Sequence, residues 1–305
     1  MCIRDMYKWG LDSSYGLTGM AEGEFAVQDL TWEIVNKMNL GVELGFLNGM
    51  IDLQLDYFDE RRKDIFMPRE SVPMTAGFMK QPWKNFGKVT NQGVEVTLNV
   101  NKQFGKDLFV SLMGTFTYAH NEITEKDEPS AVVGTNRAET GHPVGQLTGY
   151  IAEGLFTADD FEDVSTGKLK EGIPTQSFVG KLRPGDIRYR DVNGDGKVDV
   201  FDKSPIGGTK DPEIVYGFGL NMKYKNLDFG ALFQGIGRSW NILGSSIIPG
   251  ANRGVTGNMF TNANDRWTVD NPSQNVFYPR LDDGINSNNN QSSTWWLRNM
   301  SFLRL

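Results

Sequence analysis

The chain has 305 residues, a net charge of −7 and one cysteine, Cys2. The acidic balance does not suggest a nucleic-acid partner, and a lone thiol cannot close an internal disulfide. Glycine is enriched, at 35 residues, which favours strands and reversals, and no apolar run is long enough for a membrane-spanning helix.

In chain order, the opening MCIRDMYKWG lacks the apolar stretch of a signal peptide, which at face value places the chain in the cytosol. The strand pattern opposes that inference. From Lys37 to Phe46 the residues Met38, Leu40, Val42, Leu44 and Phe46 share one parity, with Lys37, Asn39, Gly41, Glu43 and Gly45 on the other. A turn at Leu47, Asn48 and Gly49 follows, then Ile51, Leu53, Leu55 and Tyr57 alternate with Asp52, Gln54 and Asp56. This predicts a β-hairpin.

A charged, Gly- and Pro-containing loop is expected from Asp59 to about Thr90. Val94, Val96, Leu98 and Val100 then alternate with Glu95, Thr97, Asn99 and Asn101, and a turn near Gly105 leads to Leu108, Val110, Leu112, Gly114, Phe116 and Tyr118. That is a second hairpin. A third joins Phe218, Leu220, Met222 and Tyr224 through Lys225 and Asn226 to Leu227, Phe229, Ala231 and Phe233, before a long polar segment over 235–293.

Between the second and third hairpins lies DVNGDGKVDVFD, residues 191–202. Its start matches a calcium loop, with Asp191, Asn193 and Asp195 as side-chain ligands, Lys197 as a carbonyl ligand and Asp202 closing the set; Asp199 could add a direct or water-mediated contact. Pro184, Gly185, Pro205, Gly207, Gly208 and Pro212 flank it, so neither flank reads as helix and a helix-loop-helix sensor is not expected. Two readings stay open: a Ca²⁺ site that stiffens a loop, or a polar Asx/Gly turn without metal.

Long alternating strands, short turns at one end and long loops at the other predict an all-β fold, an antiparallel transmembrane β-barrel segment. Only a closed barrel or a helix satisfies every backbone group in hydrocarbon. The apolar parity would face lipid and the polar parity, including Glu43, Gln54, Asp56, Glu95 and Asn99, the lumen. Tyr57, Phe116, Tyr118, Tyr224, Trp295 and Trp296 are candidates for interfacial aromatic girdles.

Six phrases in order, among them DLTWEIVNKMNLGVELGFLNGMIDLQLDYFDERRKDIF, GKVTNQGVEVTLN, GHPVGQLTGYIAEGLF, PGDIRYRDVNGDGKVDVFDKSPIG and DRWTVDNPSQNVFYPRL, resemble the SusC/RagA-type TonB-linked outer-membrane receptors. The resemblance covers most of the chain from about residue 29. It implies a barrel of about 22 strands with a plugged lumen, placed in the outer membrane and energised through the TonB complex. It further implies a SusD-like surface lipoprotein as partner and oligosaccharides, or in some members peptides, as cargo. On this resemblance residues 1–305 are expected to be part of the barrel domain, an internal piece of its C-terminal half, without signal peptide, TonB box or plug.

No enzymatic role is expected. His120 and His142 are isolated from any Cys or acidic ligand pattern, which leaves no zinc site and no Ser/His/Asp arrangement. Asp159 and Asp160 read as a solvated acidic pair rather than glycosidase carboxylates. Trp83, Trp240, Trp267 and Tyr278 are sugar-stacking candidates by type alone, with loop packing as the competing account. The runner-up for function is a soluble or surface-attached all-β calcium-binding module that recognises carbohydrate.

Overall fold

A computed structural model describes residues 7–12, 17–22, 26–76, 80–244, 260–282 and 286–305; for 7–12, 17–22 and Met74 only the backbone is described. Cys2 lies outside the described residues. The chain divides into two compact units, one of Met1–Val144, Glu213–Gly237 and Phe302–Leu305, the other of Gly145–Pro212 and Arg238–Ser301.

The first unit carries a seven-stranded antiparallel sheet. Its strands are β1 (Ile34–Phe46), β2 (Ile51–Pro68), β3 (Trp83–Phe104), β4 (Leu108–Glu125), β5 (Ile214–Tyr224), β6 (Leu227–Gly237) and β7 (Phe302–Arg304). Each pairs with its sequence neighbour, giving the order β7-β6-β5-β4-β3-β2-β1. A separate two-stranded hairpin joins Tyr7–Asp12 to Leu17–Glu22.

Turn chemistry sets the register. Leu47, Asn48 and Gly49 all have positive φ, at 54°, 56° and 80°, and Lys225 has 53° in the two-residue link between β5 and β6. Such left-handed turns match the twist of a tight hairpin, and Asn and Gly adopt them at least cost. The three short turns lie at one end of the sheet. At the other end the connections run over 69–82, 126–213 and 238–301, which is the expected asymmetry.

Both faces follow the predicted parity. Aligned across the ladder, Leu40, Tyr57, Val94 and Tyr118 form one outward row, and Val42, Leu55, Val96, Phe116 and Tyr216 the next. Leu44, Leu53, Leu98, Phe218 and Phe233 follow, then Phe46, Ile51, Val100, Leu112 and Leu220. The opposite face carries Glu43, Gln54, Thr97, Thr115 and Gln234 in one row, with Asp56, Glu95 and Thr117 beside it. From Leu108 to Tyr118 the outward row spans about 34 Å along β4 at ~3.4 Å per residue. A tilt of about 40° projects this to roughly 26 Å, the height of an outer-membrane apolar band. Leu40, Val42, Leu44, Phe46, Phe218 and Phe229 are exposed, so among the described residues nothing packs a core on that side of the sheet.

Two expectations need correction. The loop expected from Asp59 to Thr90 is largely strand: β2 runs 18 residues to Pro68 and β3 22 residues from Trp83. Beyond the apolar band both faces of a strand are wet, so alternation is no longer demanded while the backbone ladder continues; Asp59↔Gln92 and Arg61↔Thr90 are paired. The Trp295 and Trp296 girdle is also overturned. Trp296 is buried in the second unit with its indole N–H donating to Asn289 O at 2.8 Å, and Trp295 is half-buried beside it. Tyr57 and Tyr118, at one margin of the band, and Tyr224, at the other, do stand where girdle residues belong.

The second unit, made of the two longest connections, is more than loop. Tyr150, Leu155, Ile187, Tyr189, Val198, Trp267, Tyr278 and Trp296 form one apolar cluster, and Phe156, Phe161 and Leu182 a smaller one. Short ladders hold it, such as Ala152–Leu155 with Ile187–Tyr189, and Thr175–Gln176 in parallel with Lys197–Val198.

Candidate functional site

The lipid-facing rows and the polar reverse face are one functional element, the wall of a barrel. Sixfold repetition of the apolar parity across β1–β6 exposes a patch far larger than the few hundred Å² a soluble surface tolerates. Lipid removes that cost, since burying each large apolar side chain is worth about 1.5–3 kcal/mol.

The Asp191–Asp202 segment folds as a chain of side-chain-to-backbone bonds. Asp191 accepts from Gly194 N at 2.6 Å through Oδ1 and from Gly196 N at 2.8 Å through Oδ2. Asn193 Oδ1 accepts from Asp195 N at 2.9 Å, and Asp195 Oδ1 from Lys197 N at 3.0 Å. Asp202, fully buried, accepts from Val192 N at 2.8 Å and Asn193 N at 3.3 Å on one oxygen and from Asp199 N at 2.8 Å on the other. The Lys197 ammonium lies 3.1 Å from Asp199 Oδ2 and 3.9 Å from Asp195 Oδ2, and those carboxylates raise its pKa, the Asp199 hydrogen bond first.

The expected ligand residues are therefore neighbours in one loop, but their oxygens point at amides. Among the described residues no three of His, Cys, Asp and Glu gather where a metal ion could be held. As folded, the loop does not present a calcium cage; Lys197 supplies the internal cation. Val198, fully buried in the apolar cluster, anchors the loop's middle.

A polar lock in the same unit was not foreseen. Asp186 is fully buried, and its Oδ1 accepts from Asn286 Nδ2 at 2.9 Å, Asn289 Nδ2 at 3.1 Å and Arg280 Nε at 3.2 Å. Its Oδ2 accepts from Arg183 N at 2.9 Å. Burial raises the Asp186 pKa above its ordinary value, although Arg280 and these donors pull the other way. Gln176 stands in for a missing strand: Nε2 donates to Ile187 O at 2.9 Å and Asn288 Oδ1 at 2.6 Å, while Oε1 accepts from Tyr189 N at 2.6 Å. The lock joins segments about a hundred residues apart. Its only sequence trace is the Asn-rich run NSNNN at 286–290, which composition alone reads as a solvated loop.

In the first unit Asp127 ties the connection after β2 to that after β4. Ser71 N and Oγ donate to it at 3.0 and 2.8 Å, and Arg69 Nε lies 3.0 Å away. Burial pushes the Asp127 carboxyl up, but Arg69 and Ser71 outweigh it and hold the pKa below its usual range.

The aromatic sugar-stacking candidates divide. Trp267 and Tyr278 are core residues, and Trp240 covers Gly207 and Gly208, so packing explains all three. Trp83 is exposed and leans on Phe66 with ring centroids 5.1 Å apart. His120 Nδ1 pairs with Glu213 Oε1 at 2.6 Å where β4 and β5 come together.

Against known proteins, residues 4–201 match the family model described as TonB dependent receptor-like, beta-barrel. TonB-dependent receptor P26 of Formosa agariphila is 27% identical over 270 residues, 85% of this chain and 26% of that protein. TonB-dependent receptor SusC of Bacteroides thetaiotaomicron is 26% identical over 293 residues, 91% of this chain and 26% of that protein. The chain thus spans about a quarter of the length of these relatives. A solved structure of the RagAB peptide transporter shares the fold, with a TM-score of 0.67 at 23% identity over 99% of this chain and 31% of that one.

Proposed function

The chain belongs to the TonB dependent receptor-like β-barrel family, and from that premise we propose that it forms part of the wall and the long-loop surface of a transporter importing a large nutrient across the outer membrane. The carrying observation is the ladder of outward apolar rows backed by a polar face, on strands whose band height fits hydrocarbon. Energy would come through the TonB complex, a SusD-like lipoprotein would cover the loop end, and oligosaccharides or peptides would be the cargo. The work is translocation, not bond-making. The same rows disfavour the water-soluble carbohydrate module, which would leave them against solvent.

The test is uptake of labelled oligosaccharide and peptide mixtures by cells expressing the full-length protein, with and without a functional TonB. Import that needs both supports the reading. A protein recovered monomeric in buffer without detergent, with uptake unchanged by its deletion, would sink it.

For the Asp191 loop we propose Ca²⁺ as a stiffening ligand that displaces the Gly194 and Gly196 amides from Asp191 and engages Asn193, Asp195, the Lys197 carbonyl and Asp202. Calorimetric titration decides this: binding heat abolished by Asp191→Ala supports it, and no heat from the parent protein ends it.

A further inference from the structure

Where β1–β4 rise beyond the apolar band, their lumen-facing side holds a cavity of about 510 Å³, within the 300–1,000 Å³ usual for small-ligand sites. Its floor is apolar, formed by Val35, Ile65, Met67, Val89 and Ile123, and among the described residues no aromatic ring lines it. Its charged rim is already neutralised. Arg62 pairs with Glu33 at 2.8 Å, Lys126 with Glu139 at 2.8 Å, Lys88 with Glu125, and Glu60 with Lys37.

Two carboxamides face each other in the wall, since Asn91 and Asn121 are register partners of β3 and β4. Asn91 Nδ2 donates to Glu60 Oε2 at 3.3 Å, and Asn121 Oδ1 accepts from Val144 N at 2.7 Å. Both residues line the cavity, and those bonds use the Asn91 NH₂ and the Asn121 oxygen, which leaves the Asn91 oxygen as an acceptor and the Asn121 NH₂ as a donor for a ligand. That pair complements a single peptide group, whose N–H and C=O would otherwise be desolvated without partners.

We propose that this cavity is a peptide subsite, taking one aliphatic side chain on its floor and the adjoining backbone amide on Asn91 and Asn121. The proposal rests on the transporter reading and narrows its cargo. Paired rim charges disfavour ligands carrying net charge there, because a charged group would have to break an ion pair to be satisfied. Sugar rings stack on aromatic faces, and the described lining has none. An N-acetylated sugar shares the amide chemistry, so it belongs in the test.

The experiment is calorimetry on the full-length protein in detergent with three probes: acetyl-Ala-Leu-Ala-amide, acetyl-Ala-Asp-Ala-amide and an N-acetylglucosamine tetramer. The Leu peptide is expected to bind at least tenfold more tightly than the Asp peptide, and Val89→Trp, which fills the floor, to weaken it tenfold or more. Asn121→Asp keeps the bond to Val144 N but replaces the donor with an acceptor, and is expected to weaken binding similarly. It also serves if Val89→Trp fails the heat-modifiability check for a folded barrel. Equal affinity for the two peptides, preference for the sugar tetramer, absence of peptide binding or indifference to both variants would each overturn the proposal. Binding in micelles needs no TonB, so peptide binding with no TonB-dependent uptake would instead sink the transporter reading alone.

Discussion

Removing the carboxylate of Asp186 tests how much the polar lock adds to the apolar clusters and short ladders that hold the second unit. Asp186→Ala takes the acceptor from four donors: the Asn286 and Asn289 amides, the Arg183 backbone N–H and one side of the Arg280 guanidinium, of which the Asn289 amide keeps Arg280 O at 3.1 Å. Arg280 keeps Asp282 at 2.8 Å, so its charge is not wholly abandoned. Breaking a buried pair costs about 3–5 kcal/mol and each orphaned buried donor about 1–3, and such terms overlap within one network. A net loss of about 4 kcal/mol is the expected outcome, close to a thousandfold in the local opening equilibrium at ~1.4 kcal/mol per tenfold. The assay is hydrogen exchange on the full-length protein in detergent, read on peptides covering 183–190 and 277–291. The β1–β4 ladder, which shares none of these bonds, serves as internal reference. Protection of both peptides within about threefold of the parent would refute the reasoning.

On the lipid face, Leu44→Arg is expected to cost about 2–4 kcal/mol in reversible insertion into vesicles, whereas Thr115→Arg on the polar face should cost little; equal penalties would reverse the assignment of faces. Gly185 has φ of +87° and its added Cβ would enter the Trp267 ring, so Gly185→Ala should loosen the second unit by more than the ~1 kcal/mol of a strained φ, measured as faster limited proteolysis there. Because Asp127 has its pKa lowered in the folded state, its ties to Arg69 and Ser71 are at full strength above the unfolded carboxyl pKa and weaken as pH falls through the lower folded one. Exchange of the 69–76 amides should accelerate at that acid edge, and Asp127→Asn should flatten the response.

What the residues disclosed in advance, and what they hid, follows from solvent. Between Met38 and Phe46 one face meets lipid and the other the lumen, so parity is enforced and strand, face and register are all readable. From Asp59 to Arg62 the neighbouring strand β2 continues beyond its own apolar stretch, but water lies on both sides, Asp-Glu-Arg-Arg satisfies either face, and the pattern vanishes while the ladder persists. The calcium-like loop was legible as a group of neighbours because its spacing is local. Which way its carboxylates point was not, since Gly194 and Gly196 amides compete with any ion for the same oxygens. The Asp186 lock and the Asn91–Asn121 pair are contacts of long separation, with no period or spacing to betray them.

The contrast between three tight turns at one end of the sheet and the long connections at the other also bears on how such a wall is put in place. Threading the residues of 126–213 and 238–301 through hydrocarbon with Asp186, Arg280 and their amides unpartnered would be prohibitive. The connections must therefore cross while an aqueous gap is still open, and fold only after arrival. Once Trp296, Tyr278 and Ile187 have packed and the lock has closed, retreat would require undoing it first. Assembly is then a ratchet: the folded connections resist withdrawal of the strands they join, and among the described residues the links at the opposite strand ends are the small turns Leu47–Gly49, Gly105–Asp107 and Lys225–Asn226.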